Sequence, residues 1–381
     1  MRRKAGKPSI VLLVFLAALS LLFFYLAEKS QTPRKAAYYD QKIKAAELDQ
    51  EAQKIIKAEV IKRGYVIDLQ NDPNLTGLIG PQYTLITTDR GYIRDKLITT
   101  NPNDAAVIIE LFHRADLQAG DKVAVMLTGS FPGMNIAVLA ACKVMNLEPV
   151  IITSVGASTW GANWDEYTWL DMESTLDSAG IWDYKSAAAS IGGGDDQGRG
   201  LSPEGRDLIK AAIERNNVEF INSPATETKP SQSLDENIKK RITIFDQHEG
   251  KKGYKAVVNV GGGLAALGSV QNGKLILPGY NSHLWERKFP ANGVITILAQ
   301  RKIPVIHLLQ MASFAGRYGL PTEVTPEPEI GEGSMFVQER YSITTTIIYT
   351  VILLLILWVA IRIDLRYYIY RNKHLFVRRN G

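Results

Sequence analysis

Hydrophobic residues gather at both ends of the chain in unbroken runs and recur as short blocks between them. Residues 10–27 read IVLLVFLAALSLLFFYLA and residues 343–361 read ITTTIIYTVILLLILWVAI, neither with a charge. A helix rises about 1.5 Å per residue, so roughly 20 residues cross a hydrocarbon layer of about 30 Å. Both runs therefore predict membrane-spanning helices. A cleaved signal peptide is the alternative for the first, although Tyr25-Leu26-Ala27 offers one small residue where a cleavage site wants two. A buried core helix is the alternative for the second.

Between the runs the pattern alternates. Residues 34–63 lack Gly and Pro, and Ala45, Leu48, Ala52 and Ile55 recur at 3-4-3 spacing. That narrow stripe predicts a stalk or edge helix, with a dimerising coiled coil as the alternative. Residues 122–127 (KVAVML), 149–155 (PVIITSV) and 254–260 (YKAVVNV) are the continuous apolar blocks of buried parallel strands. Weaker strands fall at 85–88, 184–191, 218–221 and 303–307. Helical patterns fall at 103–117, 134–145, 164–178, 203–216, 233–249, 293–301 and 308–318. This alternation predicts an α/β fold: an open, mostly parallel sheet with helices on both faces. Residues 321–333 hold four acids and three prolines, as an extended spacer would.

Charge at the flanks sets the expected orientation. Arg2, Arg3, Lys4 and Lys7 precede the first run, and Arg362, Arg366, Arg371, Lys373, Arg378 and Arg379 follow the second, against Asp364 alone. Lys and Arg beside a span favour the cytoplasm. The expected organisation is a cytoplasmic N-terminus (1–9), a transmembrane helix (10–27) and a stalk helix (28–64). An extracytoplasmic α/β domain of one or two lobes (65–320) follows, then a Pro/Glu-rich spacer (321–340), a second transmembrane helix (341–361) and a basic cytoplasmic tail (362–381). The protein is thus expected in the cell membrane, two-pass, against the lipid bilayer. The formal net charge of +5 is misleading. Removing the four N-terminal bases and the tail's six bases and one acid leaves −4 for the intervening region. The basic balance reports membrane flanks, and no nucleic-acid partner is expected. The lone cysteine, Cys142, sits in an apolar helix and reads as core.

Three glycine-bearing loops follow the three strong strands: TGSFPGMN, SVGASTWGANWDE and GGGLAALGS. In an open parallel sheet, ligands bind beyond the carboxyl ends of the strands, where backbone N–H groups at helix starts favour anions. Gly129, Ser130, Gly133, Asn135, Gly156, Ser158, Gly261, Gly262 and Gly263 are the candidate ligand-binding residues, with tight packing as the plain alternative for the glycines. The first of these loops, TGSFPGMN, has the spacing of neither a dinucleotide, a P-loop nor a nucleophile-elbow motif. An extracytoplasmic site makes a nucleotide cofactor unexpected, and no other cofactor is indicated. Trp160, Trp164, Tyr167 and Trp169 are interleaved with Asp165, Glu166, Asp171 and Glu173, as in an amphipathic surface helix or the lining of a site for a polar polymer or a cation. Weak catalytic candidates are Ser130, Asp165 and Glu166, with His283 or His307 conceivable as a triad partner of Ser130. Asp195 and Asp196 are weak metal candidates; the five histidines show no zinc spacing.

The segments LTGSFPGMNIAVLAA and VVNVGGGLAALGS, set between an N-terminal anchor and a C-terminal span with a basic tail, resemble the poly-gamma-glutamate system protein family. The resemblance covers nearly the whole chain and carries no catalytic residues with it. It implies a membrane-anchored accessory protein of poly-gamma-glutamate synthesis, export or retention, acting beside the synthase or ligase. The outward domain would then bind the anionic polymer or the synthase. The alternative is an extracytoplasmic hydrolase or transferase acting on gamma-glutamyl amide bonds, so the sequence leaves open whether the protein is an enzyme.

Overall fold

The structure, a computed structural model, describes residues 10–221, 233–323 and 325–362. Most of the basic flanks that set the expected orientation (1–9 and 363–381) lie outside the described residues. The chain divides into two units, one of residues 36–336 and one of the two ends, residues 1–35 and 337–381.

Helix α1 (Ile10–Lys29) leads into strand β1 (Thr32–Lys35). The α/β unit opens with α2 (Tyr39–Lys62), β2 (Thr87–Asp89), α3 (Ile93–Ile98) and α4 (Asp104–Arg114). It continues through β3 (Lys122–Thr128), α5 (Pro132–Met145), β4 (Glu148–Ser154), β5 (Ala157–Ser158) and α6 (Trp169–Ser178). Next come β6 (Ser186–Ser190), α7 (Pro203–Arg215), β7 (Glu219–Phe220), α8 (Leu234–His248) and β8 (Tyr254–Val260). It closes with α9 (Leu264–Leu267), α10 (Val270–Leu275), β9 (Gly279–Asn281), α11 (Val294–Gln300), β10 (Val305–Leu308) and α12 (Met311–Tyr318).

Seven strands form one sheet in the order β7-β6-β4-β3-β8-β10-β9, parallel throughout except for β9 at its edge. The fold is therefore the expected α/β class. Successive strand residues face opposite sides, and the two sides bury different layers. Val123, Val125, Leu127, Val258 and Val260 pack with residues of α2, α4 and α5, whereas Ala124, Met126, Ile152 and Val257 pack with α8 and α11. This is why the strand blocks read as unbroken apolar runs. The chain moves outward from β3 through β4, β6 and β7, then returns to place β8 on the other flank of β3. The order reverses between β3 and β8.

Three expectations change. Residues 28–64 do not form one stalk helix: β1 intervenes, and α2 is a packed layer of the α/β unit. Ala45, Ala52, Ile56 and Val60 of α2 are fully buried, in one core with Ala137, Ala140 and Ala141 of α5. The alanine stripe is the close-packing face of α2. Residues 321–340 are more than a spacer, since Phe336 is fully buried and the Glu329 carbonyl accepts from Asn103 Nδ2 at 2.9 Å. Finally, Trp164, Tyr167 and Trp169 are core residues, so no surface helix begins at 164. The carboxylate of Asp171 turns inward with them to take a two-pronged bond from Arg215 at 2.6–2.7 Å.

In the other unit, β11 (Val337–Arg340) pairs antiparallel with β1, Thr32 opposite Arg340 and Lys35 opposite Val337. Helix α13 (Ile343–Arg362) follows. Phe23 stacks on Tyr349 with ring centroids 4.8 Å apart, and the Tyr341 hydroxyl donates to Glu28 at 3.4 Å. Both apolar helices thus run side by side beyond a two-stranded ribbon. Among the described residues α1 alone is long and apolar enough to cross a membrane, a test that a signal sequence also passes; the apolar run described on α13, Ile343–Val359, is shorter.

Candidate functional site

The loops after β3, β4 and β8 meet at the carboxyl edge of the sheet, and small residues let them do so. Gly129 donates its N–H to the Ser154 carbonyl at 3.0 Å, and a Cβ on it would stand 2.4 Å from the Val155 oxygen. A Cβ on Gly133, in the first turn of α5, would stand 2.0 Å from the Thr99 oxygen. At Gly156 it would stand 2.4 Å from the Thr88 methyl. Close approach accounts for these three glycines. Gly133→Ala is expected to destabilise the protein by about 2 kcal/mol, because the opposing atoms, Thr99 O and C and Thr100 N, all belong to backbone and cannot rotate away. Chemical denaturation would show an unchanged midpoint if that contact were slack.

Pro132 occupies the first position of α5, where its missing N–H costs nothing. Asn135 reaches back from that helix to donate to the Thr128 carbonyl at 2.9 Å. The amide hydrogens of Ser130 and Phe131 meet no acceptor among the described residues. Across the point where strand order reverses, Gly261 has φ +94° and accepts from Asn259 Nδ2 at 2.8 Å through its carbonyl. The Gly262 and Gly263 amide hydrogens likewise meet no acceptor among the described residues, while the helix behind them, α9, is a single turn. Its dipole is correspondingly small, so any anion affinity here comes from the N–H groups themselves. Four buried polar atoms crowd this edge without partners: Thr128 Oγ1, Asn135 Oδ1, Asn259 Oδ1 and His307 Nε2. Burial holds the His307 imidazole neutral, with its pKa pulled down to about 4, and Asn259 Nδ2 lies 3.1 Å from its Nδ1.

Beside this crevice lie two polar clusters. In the first, Ser154 at the end of β4 and Ser190 at the end of β6 flank a buried ion pair. Arg241 Nη2 of α8 meets Asp196 at 2.9 Å, with the two side chains 2% and 1% exposed. In the second, Lys96 of α3 is also buried, 2% exposed, and its Nζ donates to Ser158 Oγ at 2.8 Å and to the Ser130 carbonyl. The Ser158 N–H donates to Ser130 Oγ at 3.0 Å. The Phe131 ring lies 4.1 Å from the ammonium. Burial draws the Lys96 pKa down to about 7.

The sequence candidates are thus sorted by position. Ser130 and Ser158 meet around Lys96, Gly129 packs on the β4–β5 loop beside them, and Gly261, Gly262 and Gly263 line the opposite bank. Neither histidine forms a triad with Ser130: His307 is turned to Asn259, and His283 contacts Ser282 Oγ at 2.7 Å. Asp165 and Glu166 lie on another part of the unit, where Arg63 donates to the Glu166 carbonyl at 3.4 Å. Asp195 and Asp196 do not act together, because Asp195 pairs with Arg199 at 2.6 Å and Asp196 with Arg241. Among the described residues no three His, Cys, Asp or Glu side chains converge as metal ligands. A recess of about 670 Å³ between α2, α6 and α7 is lined by Arg63, Asp171 and Arg215, whose charges are already paired. Sequence reasoning missed Lys96 and Arg241: neither has a spacing signal, and each acquires meaning from residues 34 or more positions away. No family model, no curated protein and no solved structure matches this chain.

Proposed function

We propose that the chain is a two-pass membrane protein of poly-gamma-glutamate synthesis, export or retention. Both termini face the cytoplasm, and the α/β unit lies outside, engaging the polymer or its synthase. The observation that carries the reading is the crevice between β3 and β8. Uncommitted N–H groups of Ser130, Phe131, Gly262 and Gly263 border it, and buried polar atoms lack partners within it. A chain of carboxylates supplies acceptors for such donors. The pairing of β1 with β11 supports a tether made from both ends of the sequence. A second reading, a hydrolase or transferase of gamma-glutamyl amides, is favoured by the Lys96–Ser158 contact.

Deleting the gene in its host is expected to change the amount, length or attachment of surface polymer. Unaltered polymer by all three measures refutes the proposal. A reporter enzyme fused within residues 222–232 is expected to be active only outside the cytoplasm.

A further inference from the structure

We propose that Ser158 and Lys96 are the nucleophile and general base of an acyl-transfer centre that accepts amide or ester carbonyls. That the amide is gamma-glutamyl rests on the polymer reading above; the pair itself does not.

Lys42, the other deeply buried lysine, is neutralised by Glu110 at 2.9 Å. Among the described residues Lys96 has no such partner: its contacts are a serine hydroxyl, a carbonyl oxygen and an aromatic ring. The charged group that acts on it is Asp95, which is engaged by the Ala312 N–H at 3.3 Å. The charged side chains on the neighbouring elements are turned to other groups: Asp89 of β2, in register with Ser158, accepts from the Arg90 N–H at 2.7 Å, and Arg317 of α12 donates to the Pro278 carbonyl at 2.8 Å. A lysine held only to tie loops together would be better served by a neutral donor or an added carboxylate. A desolvated lysine beside a serine is instead the arrangement of a base that is neutral near pH 7.

Ser158 is held for attack. Its N–H is fixed by Ser130 Oγ, and its carbonyl accepts from Gly161 N at 3.0 Å and Asn163 Nδ2 at 3.1 Å. The residue as a whole is half-buried. Gly91 packs close against the pair: a Cβ there would stand 2.9 Å from Ser158 Oγ and 3.0 Å from Lys96 Cε. Gly91 has no positive φ, so space and not backbone conformation explains the glycine. The uncommitted amide hydrogens of Ser130 and Phe131, on the loop that touches Ser158, are the donors for a developing oxyanion.

The step balances with these groups alone. Ser158 Oγ bonds to the carbonyl carbon as its proton passes to Lys96 Nζ. The C–N bond then breaks, the departing nitrogen takes that proton, and an ester remains on Ser158. Water gives a proton to Lys96 and adds to the ester carbonyl; the Oγ–C bond breaks, Oγ recovers the proton, and a carboxylic acid leaves. Ser130 is a positioning residue in this scheme.

The test is a fluorophosphonate probe on the full chain in detergent, with the adduct located by peptide mass. Expected is modification of Ser158, rising in rate through about pH 7, absent in Ser158→Ala and about 100-fold slower in Lys96→Arg. Lys96→Arg keeps a donor for both contacts but no base, so unchanged labelling in that folded variant overturns the pair. If it does not fold, the decision passes to wild type: no adduct at Ser158 between pH 6 and 9, or a rate flat across that range, overturns it. A gamma-linked glutamate decamer is assayed alongside. Labelling without shortening supports the pair and removes this polymer as substrate. A deletion phenotype without labelling leaves the accessory reading standing and overturns the pair.

Discussion

Arg241→Ala is expected to lower the unfolding free energy by about 3–5 kcal/mol, the largest loss from any single substitution proposed for this chain. The guanidinium and the Asp196 carboxylate are both essentially dry, and Arg241 Nη2 also lies 3.1 Å from Ser154 Oγ. Removing the cation takes away the buried counter-charge of the Asp196 carboxylate. Ser190 Oγ donates to that anion at 2.8 Å and Ser154 Oγ at 3.1 Å, which does not replace a full charge. The cost is that of an unpaired buried charge, not the net worth of the ion pair. A double variant separates the two. Arg241→Met with Asp196→Asn removes both charges, keeps a residue suited to φ +62° at position 196, and is expected to recover most of the loss. Denaturant unfolding of wild type, Arg241→Met, Asp196→Asn and the double variant closes the cycle. If Arg241→Ala alone costs under 1 kcal/mol, water reaches the pair and the cluster is not dry. The pair joins the ends of β4 and β6 to α8, so its loss is also expected to loosen the edge that carries the candidate site.

How much of this was legible varied with the range of the contacts involved. Strands β3, β4 and β8 stood out because both faces of each are buried, which makes the apolar block continuous. Ser202, with Pro203 and Gly205, marked the start of α7, and the Ser202 hydroxyl does accept from Gly205 N at 3.1 Å. These are local signals. The two-residue strand β5 and the antiparallel β9 have too few residues to show a period, and their pairing is set by partners far along the chain. β1 and β11 are exposed throughout, so no hydrophobic alternation marks them. The acidic neighbours Asp195 and Asp196 looked equivalent, yet one faces solvent and the other a buried arginine 45 positions on. Ser130 and Ser158 were visible as hydroxyls in loops after strands. Lys96 was not, since IRDKLI in a turn-rich stretch gives a lysine no reason to be inside. Its burial follows from α3 packing on α12 and under the β3–α5 loop.

Lys96→Met is expected to stabilise the protein at pH 6, with the advantage disappearing as the pH approaches 10. The sign follows from the two protonation states. Unfolded, the lysine keeps its ordinary pKa of 10.5; folded, burial draws it to about 7. Below pH 7 both forms carry the proton, and the native state bears the whole cost of a dry ammonium, on the order of a few kcal/mol at about 1.4 kcal/mol per pH unit. Between about 7 and 10.5 the unfolded chain binds more protons, so wild-type stability rises with pH. Methionine has similar length and no charge, so its contribution is flat. Against this gain stand two lost hydrogen bonds, at Ser158 Oγ and the Ser130 carbonyl, worth about 1 kcal/mol each. The net change is therefore positive at pH 6 and negative by pH 10, and melting curves across that interval would show the two proteins crossing. A constant difference at every pH would mean that Lys96 keeps its ordinary pKa when folded, and the neutral amine required by the acyl-transfer scheme would not exist near pH 7. A crossing would show that the native state tolerates a destabilising lysine in contact with Ser158 and beneath a loop with two uncommitted N–H groups. A residue held at such a cost, and replaceable by a more stabilising one of the same length, is more readily explained by chemistry at Ser158 than by packing.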